Sequence, residues 1–255
     1  MTGIILAGLG GLVLGSFANV VIHRVPRNES IVRPGSRCPH CGAAIRPHDN
    51  VPVASWVLLR GRCRGCGHHI SVRYPLIELL TGVVFALTAW RVAESTDLIA
   101  YLPLAWVLIV LSGIDIDHKL LPNRIVVPAG GAMVGLLGVA AALGPGAGAW
   151  VRALAGGAAA FGGFLVMALI SPRGMGMGDV KLSAVLGLAL AYLGWDHLFI
   201  GIFLAFLAGA LGGLIVVALR KGGMKTEIPF GPYLAIGTML AVLWGEPIAR
   251  AWLRT

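Results

Sequence analysis

Long apolar stretches separated by short polar ones dominate this chain, at approximately 3–22, 75–92, 98–113, 123–143, 150–170, 180–194, 198–219 and 229–245. Each holds about 15 to 22 residues, close to the roughly 20 that a helix needs to cross about 30 Å of hydrocarbon. The pattern therefore predicts an all-α polytopic membrane protein with eight transmembrane helices. The shorter stretches, 98–113 and 180–194, must borrow a turn from their flanks or meet locally thinned lipid. The first stretch is read as a retained span and not as a signal peptide. Met1 to Gly3 is too short for a basic leading region, no small-residue cleavage site follows, and the next segment is the basic His23-Arg24-Val25-Pro26-Arg27.

Composition agrees with that pattern. Of the 255 residues, 57% are hydrophobic and only 12% charged, so the charges must crowd into a few loops. Thirty-seven glycines would weaken a soluble helical protein but suit membrane helices that pack through small side chains. A net charge of +9 could suggest nucleic acid, yet the charges sort by loop, as membrane topology requires, and no nucleic-acid partner is expected. The segment 23–74 carries nine arginines against Glu29 and Asp49, whereas the next short loop carries Arg91, Glu94 and Asp97. Segment 23–74 is thereby placed in the cytoplasm. Lys119, Arg124, Arg173, Lys181, Arg220, Lys221 and Lys225 then fall on the same side, and only Arg91, Arg152, Arg250 and Arg254 fall outside. Both termini are expected to be exoplasmic and the span count even. The domain reading is a first helix at 1–22, a cytoplasmic module at 23–74, a seven-helix membrane domain at 75–245 and an exoplasmic tail at 246–255.

All four cysteines lie in the basic segment, as Cys38-Pro-His-Cys41 and Cys63-Arg-Gly-Cys66. Two C-x-x-C pairs fit a tetrahedral Zn²⁺ held by four thiolates, since each short pair can point both sulfurs at one ion. A cytoplasmic setting argues against disulfides. A loop of this size has little apolar mass, so a metal would supply much of its order, and the expected role of zinc is structural. His40, His68 and His69 are near enough to act as substitute ligands, although surface histidine is the plainer reading. Asn50-Val-Pro-Val-Ala-Ser-Trp56 reads as an ordered turn leading into Val57-Leu-Leu59, a run that fits either the membrane surface or the underside of the zinc knuckle.

Ionisable groups close to a membrane are costly, so each needs a reason. Two places stand out. Gly113-Ile-Asp115-Ile-Asp117-His-Lys-Leu-Leu-Pro122-Asn123 ends the third span, and Gly174-Met-Gly176-Met-Gly178-Asp179-Val-Lys181 begins the sixth. Both lie at similar depth on the expected cytoplasmic side. Ordinary loop charge is the bland reading; it suits Asp117, beside His118 and Lys119, while Asp179 also gains from a helix N-terminus. Two carboxylates brought close together cannot both ionise cheaply, so they share a proton. The ionised one can take a proton from a water attacking a peptide carbonyl, and its protonated partner can polarise that carbonyl. No serine nucleophile competes: Ser16 is near His23, but the chain offers no G-x-S-x-G context.

Together these residues closely resemble the bacterial prepilin peptidase family, membrane aspartic proteases with a glycine-x-glycine-aspartate motif. The resemblance runs through Gly11-x-x-x-Gly15-Ser16-Phe17-x-Asn19-Val20-Val21-x-x-Arg24-x-Pro26, Pro34-x-Ser36-x-Cys38-Pro-x-Cys41, Asn50-x-Pro52-Val-x-Ser55-Trp56 and Cys63-x-x-Cys66. It continues with Ile70-Ser71-x-Arg73-Tyr74-Pro75-x-x-Glu78-x-x-x-Gly82, the two aspartate motifs, and Pro229-Phe230-Gly231-Pro232. It implies eight helices and a catalytic pair at Asp115 and Asp179. The family's first acid stands seven residues before the proline of a leucine-proline pair, here Pro122, a position that Asp115 fills and Asp117 does not. Implied substrates are prepilins and pseudopilins of pilus, secretion or DNA-uptake systems, cut at the cytoplasmic face of the bacterial inner membrane after a basic leader. Methylation of the new N-terminus with S-adenosylmethionine is the implied second activity, associated with the cysteine-bearing region. Gly15, Asn19, Arg24, Glu78, Gly176 and Gly178 are family-site residues with no role assigned by pattern. Asn123 departs from the aspartate often found after the leucine-proline pair. Peptidase activity without methylation is the nearer alternative. A membrane transporter is the distant one, since the acids lie at one face and not at the midplane where transported ions bind.

Overall fold

The computed structural model describes residues 1–92, 96–171, 174–219 and 229–252. Glu94, Arg173, Arg220, Lys221, Lys225 and Arg254, which carry part of the charge-sorting argument, lie outside the described residues. The chain divides into two compact units, residues 1–93 and 94–255.

In the first unit, α1 (Thr2–Arg24) packs along α3 (Arg73–Val92), with a small loop-rich module and the short α2 (Ala54–Leu58) between them in sequence. The two long helices cross at Gly15, where a Cβ would lie 2.6 Å from the Glu78 Cα. Their outward faces are apolar, with Ile5, Leu6, Val13, Leu79 and Val83 all exposed, as lipid-facing helices require. Val57 and Leu58 are exposed at 60% and 81%, so this run faces outward instead of lying under the cysteine module.

The second unit holds six helices: α4 (Leu98–His118), α5 (Asn123–Leu143), α6 (Ala147–Ile170), α7 (Met177–Leu193), α8 (Trp195–Leu219) and α9 (Gly231–Trp252). The expected short span at 98–113 does borrow its missing turn, running on to His118 and taking Asp115 inside the helix. α7 packs against α5, α6, α8 and α9, and nearly every residue from Val180 to Tyr192 is buried. Its 17 residues span about 25 Å, short of the hydrocarbon thickness. A helix walled in by protein has no lipid to match, which permits that length. Against α6 the approach is close enough that a Cβ at Gly187 would stand 2.5 Å from the Gly156 carbonyl oxygen. This is the small-residue packing that the glycine content predicts.

Seven of the described helices, all but α2 and α7, are long and apolar enough to cross a membrane. The protein is thus all-α and polytopic.

Candidate active site and cysteine cluster

Asp115 and Asp117 have opposite surroundings. On a helix, residues two apart point about 200° from each other. Asp115 is turned inward and is 5% exposed, whereas Asp117 is exposed. α4 ends at Lys119 in the left-handed conformation, φ 53°, with its N–H donating to the Asp115 carbonyl at 2.8 Å. The chain then turns back through Leu121 and Pro122 into α5.

Gly231, at the start of α9, donates its backbone N–H to Asp115 Oδ2 at 2.8 Å. That donor is held in place by its neighbour Phe230, whose ring stands 5.3 Å from Phe206 and 6.4 Å from Tyr233, with Phe164 next to Phe206. No side chain fits at Gly231, since a Cβ there would stand 2.8 Å from Asp115 Oδ2 and 3.3 Å from Leu121.

Asp179 occupies the first turn of α7. Its own N–H donates to the carbonyl of Gly176, the N-cap residue, at 3.1 Å, and its carboxylate faces the Gly176 backbone, where a Cβ would stand 3.4 Å from Oδ2. The carboxylate thereby sits beside the positive end of the helix. A Cβ at Gly178 would lie 2.9 Å from the Leu121 Cβ. Leu121 therefore touches both neighbourhoods, the Gly178-Asp179 turn on one side and the Asp115-Gly231 pair on the other. Lys181 Nζ donates to Asn123 Oδ1 at 3.0 Å, so the amide that departs from the family pattern still ties the start of α5 to the start of α7.

In the first unit the four cysteine sulfurs lie within 4.8 Å of one another, with Cys38 and Cys66 at 3.9 Å. Four thiolates at about 2.3 Å from a tetrahedral zinc would stand about 3.8 Å apart, so this set fits the ion. The two cysteine pairs are built alike. The N–H of Cys38 donates to Ala43 O and that of Gly42 to Cys38 O; Cys63 with His68 and Gly67 with Cys63 repeat both bonds, all at 2.9 Å. Gly42 and Gly67 share a left-handed φ of 70° and 69°. Backbone N–H groups of Cys41 and His40 bring the Cys38 thiol down to about 6, toward the thiolate that a metal needs. The rings of His40 and His68 stack on each other, centroids 4.2 Å apart. Asp49 takes three hydrogen bonds from Arg64, the shortest 2.7 Å, and this pairing holds its carboxyl below the usual range.

The remaining family-site residues of this unit converge on the α1–α3 crossing. Glu78 is 8% exposed and accepts the Val53 N–H at 2.7 Å. Val53 has a left-handed φ of 59°, an uncommon state for a β-branched residue, and the buried carboxylate holds its N–H. Asn19 Nδ2 donates to Gly15 O at 3.3 Å and to Tyr74 O at 3.1 Å. Arg24 lies outside this group and binds the carbonyl oxygens of Ser30 and Gly35.

Comparison with known proteins agrees with the distribution of these sites. Residues 9–92 match the bacterial peptidase A24 N-terminal domain, and residues 102–214 match the type IV leader peptidase family. A relative from Aeromonas hydrophila is 40% identical over 275 residues, covering 97% of this chain and 93% of its own. The chain belongs to the type IV leader peptidase family. Other relatives come from Stutzerimonas stutzeri, 38% identical with 96% of this chain and 91% of the relative covered, and Bacillus subtilis, 35% identical with 96% and 95% covered. All three are called prepilin leader peptidase/N-methyltransferase. No solved structure matches the chain.

Within this leader peptidase, three features escaped the sequence reading. Gly231 was visible only as part of a motif, and its N–H acquires a role only when α9 comes to rest beside α4. The repeat R-C-x-x-C-G-x-x-I, at Arg37 to Ile45 and again at Arg62 to Ile70, could have been found by comparing the chain with itself. Arg152 entered only as a charge on the unexpected side of the membrane.

Proposed function

We propose that this chain is an aspartic endopeptidase of the bacterial inner membrane that removes the leader from prepilins or pseudopilins, with Asp115 and Asp179 as its catalytic pair. The observation that carries this reading is their convergence around Leu121, one carboxylate fixed by the Gly231 N–H and the other set against the Gly176 backbone at the start of α7. The Gly231 bond goes to Oδ2 of Asp115, so its Oδ1 is the oxygen proposed to meet a water or a scissile carbonyl. Because the two charges oppose each other in surroundings of low polarity, the pair retains one proton. The ionised member takes a proton from water as it adds to the peptide carbonyl. The protonated member donates to the carbonyl oxygen, and a proton then passes to the departing amine. Asp117 turns away from this centre and takes no part.

α7 serves as the eighth span, and the charge sorting of the sequence sets both the aspartates and the cysteine module on the cytoplasmic side. Cys38, Cys41, Cys63 and Cys66 hold one structural Zn²⁺, which supplies order to a module with little core of its own. Methylation of the new N-terminus, with S-adenosylmethionine as donor, is the second activity proposed from the relatives' names. The cavity around Ser183 and Thr238 does not fit that donor, being walled by Phe164, Leu186, Leu190 and Leu234. For the leader's basic charges, Asp49 is already engaged by Arg64 and Glu78 is buried under Val53, which leaves Glu29 as the exposed acid of segment 23–74.

Co-expression with a prepilin tests the assignment. Asp115→Asn and Asp179→Asn should each reduce cleavage by roughly 10²- to 10⁴-fold, while Asp117→Asn stays within about twofold of the parent, a small effect expected of an exposed surface position. Processed pilin at parental levels in either of the first two variants would refute the catalytic pair.

A further inference from the structure

The far ends of the two aspartate-bearing helices are joined by a polar cluster that the proposed chemistry does not use. α4 and α7 run in opposite senses past the site, so the start of α4 lies beside the end of α7. There, Tyr101, fully buried on α4, donates its hydroxyl to Ala189 O at 2.7 Å. The Tyr192 hydroxyl donates to Asp97 Oδ1, at the N-cap of α4, at 3.1 Å. From α6, Arg152 donates Nε to Ala191 O at 2.7 Å and a terminal nitrogen to Tyr192 O at 2.6 Å.

Ala191 and Tyr192 belong to the last turn of α7, where carbonyl groups lack helical partners and the helix dipole is negative, and Ala189 lies just before it, its carbonyl taking the tyrosine hydroxyl as an additional donor. In a membrane an unmet carbonyl is costly, and a guanidinium with a buried hydroxyl meets that need with directional bonds. Sliding α7 along its axis by one residue would break all of these bonds together. The principal packing neighbours of α4 are α5 and α9, and those of α7 include α5, α6 and α9, so the cluster is a direct tie between the two helices in addition to shared neighbours. From Tyr101 to Asp115 along α4 is about 21 Å, and from Asp179 to Ala191 along α7 about 18 Å. The cluster thus sits at the opposite end of both helices from the acids.

We infer that Tyr101, Arg152, Tyr192 and Asp97 are positioning residues, a clamp that fixes the axial register of α7 against α4 and thereby the separation of Asp115 and Asp179. The inference rests on the catalytic reading of that pair. Catalytic groups must be placed to within a fraction of an ångström, and a displacement near 1 Å can cost about a hundredfold in rate. The clamp also accounts for Arg152 standing against the charge sorting, because its charge is spent on helix carbonyls.

The test is steady-state cleavage of a prepilin by the purified full chain over a range of pH, with thermal unfolding followed in parallel. Tyr101→Phe removes one hydroxyl and keeps the ring, and Arg152→Met removes both guanidinium bonds. Each should lower kcat by roughly ten- to a hundredfold and leave KM within about twofold, as expected when only transition-state interactions are lost. The two limbs of the pH profile should draw together, because carboxyl groups set farther apart influence each other less. Arg152→Lys, which keeps one donor, should recover part of the loss. Unchanged kcat and unchanged limbs in the folded variants, whatever their melting temperature, would overturn the clamp. Asp115→Asn or Asp179→Asn retaining activity would instead overturn the catalytic reading on which it rests.

Discussion

Burial is what separates Asp115 from Asp117, two identical side chains a short step apart on α4. The inward acid receives a backbone N–H from a helix more than a hundred residues away in sequence, and the outward one meets solvent. That N–H exists at its position because Gly231 has no side chain, which yields a prediction at the scale of one methyl group. Gly231→Ala should place a Cβ against Asp115 Oδ2, where only 2.8 Å is available. Relief requires the carboxylate to move, so prepilin cleavage should fall by roughly ten- to a hundredfold. Gly3→Ala, whose new Cβ meets nothing within 4 Å, should be silent in the same cleavage assay. Equal activity in the two variants would show that the Gly231 contact does not position the acid. In the sequence, the resemblance to prepilin peptidases singles out Asp115 by its distance from Pro122. The donor that fixes it was invisible, since nothing local to residue 115 encodes the approach of α9.

Among the elements, the cysteine module and α7 show opposite dependences on their surroundings. The module is specified locally: two copies of one short motif fold into two matching turns, each with a glycine in the left-handed region, and four sulfurs meet at a spacing that suits zinc. Little apolar surface supports this arrangement, so the metal should carry it. Purified protein should contain about one zinc per chain, and a strong chelator or Cys38→Ser should expose the module to trypsin at Arg62 and Arg64 by about tenfold or more, as local opening becomes favourable. The helices of residues 96–252 should remain protected in the same digest. Absence of zinc in active protein, by elemental analysis, would remove the structural ion. α7 is the reverse case. Its sequence alone reads as a marginal span of 180–194, and the structure begins it at Met177, with the Asp179 N–H donating to the Gly176 carbonyl. Its shortness becomes acceptable because other helices, and not lipid, surround it.

For the molecule as a whole, the governing constraint is that a chain crossing a membrane must sort its charges by side. The arginines of segment 23–74 face the cytoplasm in this reading, and an even number of spans returns both termini to the outside. A cysteine introduced at Thr2 should therefore react with a membrane-impermeant maleimide in intact spheroplasts, with labelling at least about tenfold above that of a cysteine introduced at the exposed Glu29, which the reagent should reach only after lysis. Protection of the Thr2→Cys thiol would reverse the orientation. Composition and the lengths of the apolar runs by themselves determined the all-helical, polytopic class, because no other element hides its backbone in lipid at that length. Motif spacing alone determined which acids and thiols were worth following, since zinc needs four ligands and a proton-sharing pair needs two carboxyl groups. The tertiary structure decided what surrounds those groups: that Asp115 turns inward, that Gly231 supplies its donor, that Leu121 stands between the two acids' neighbourhoods, and that Arg152 serves the end of α7. The physical reason is range. Hydrophobic length and ligand spacing are properties of contiguous residues, whereas hydrogen bonds and steric limits are set by whichever distant segment packs against them.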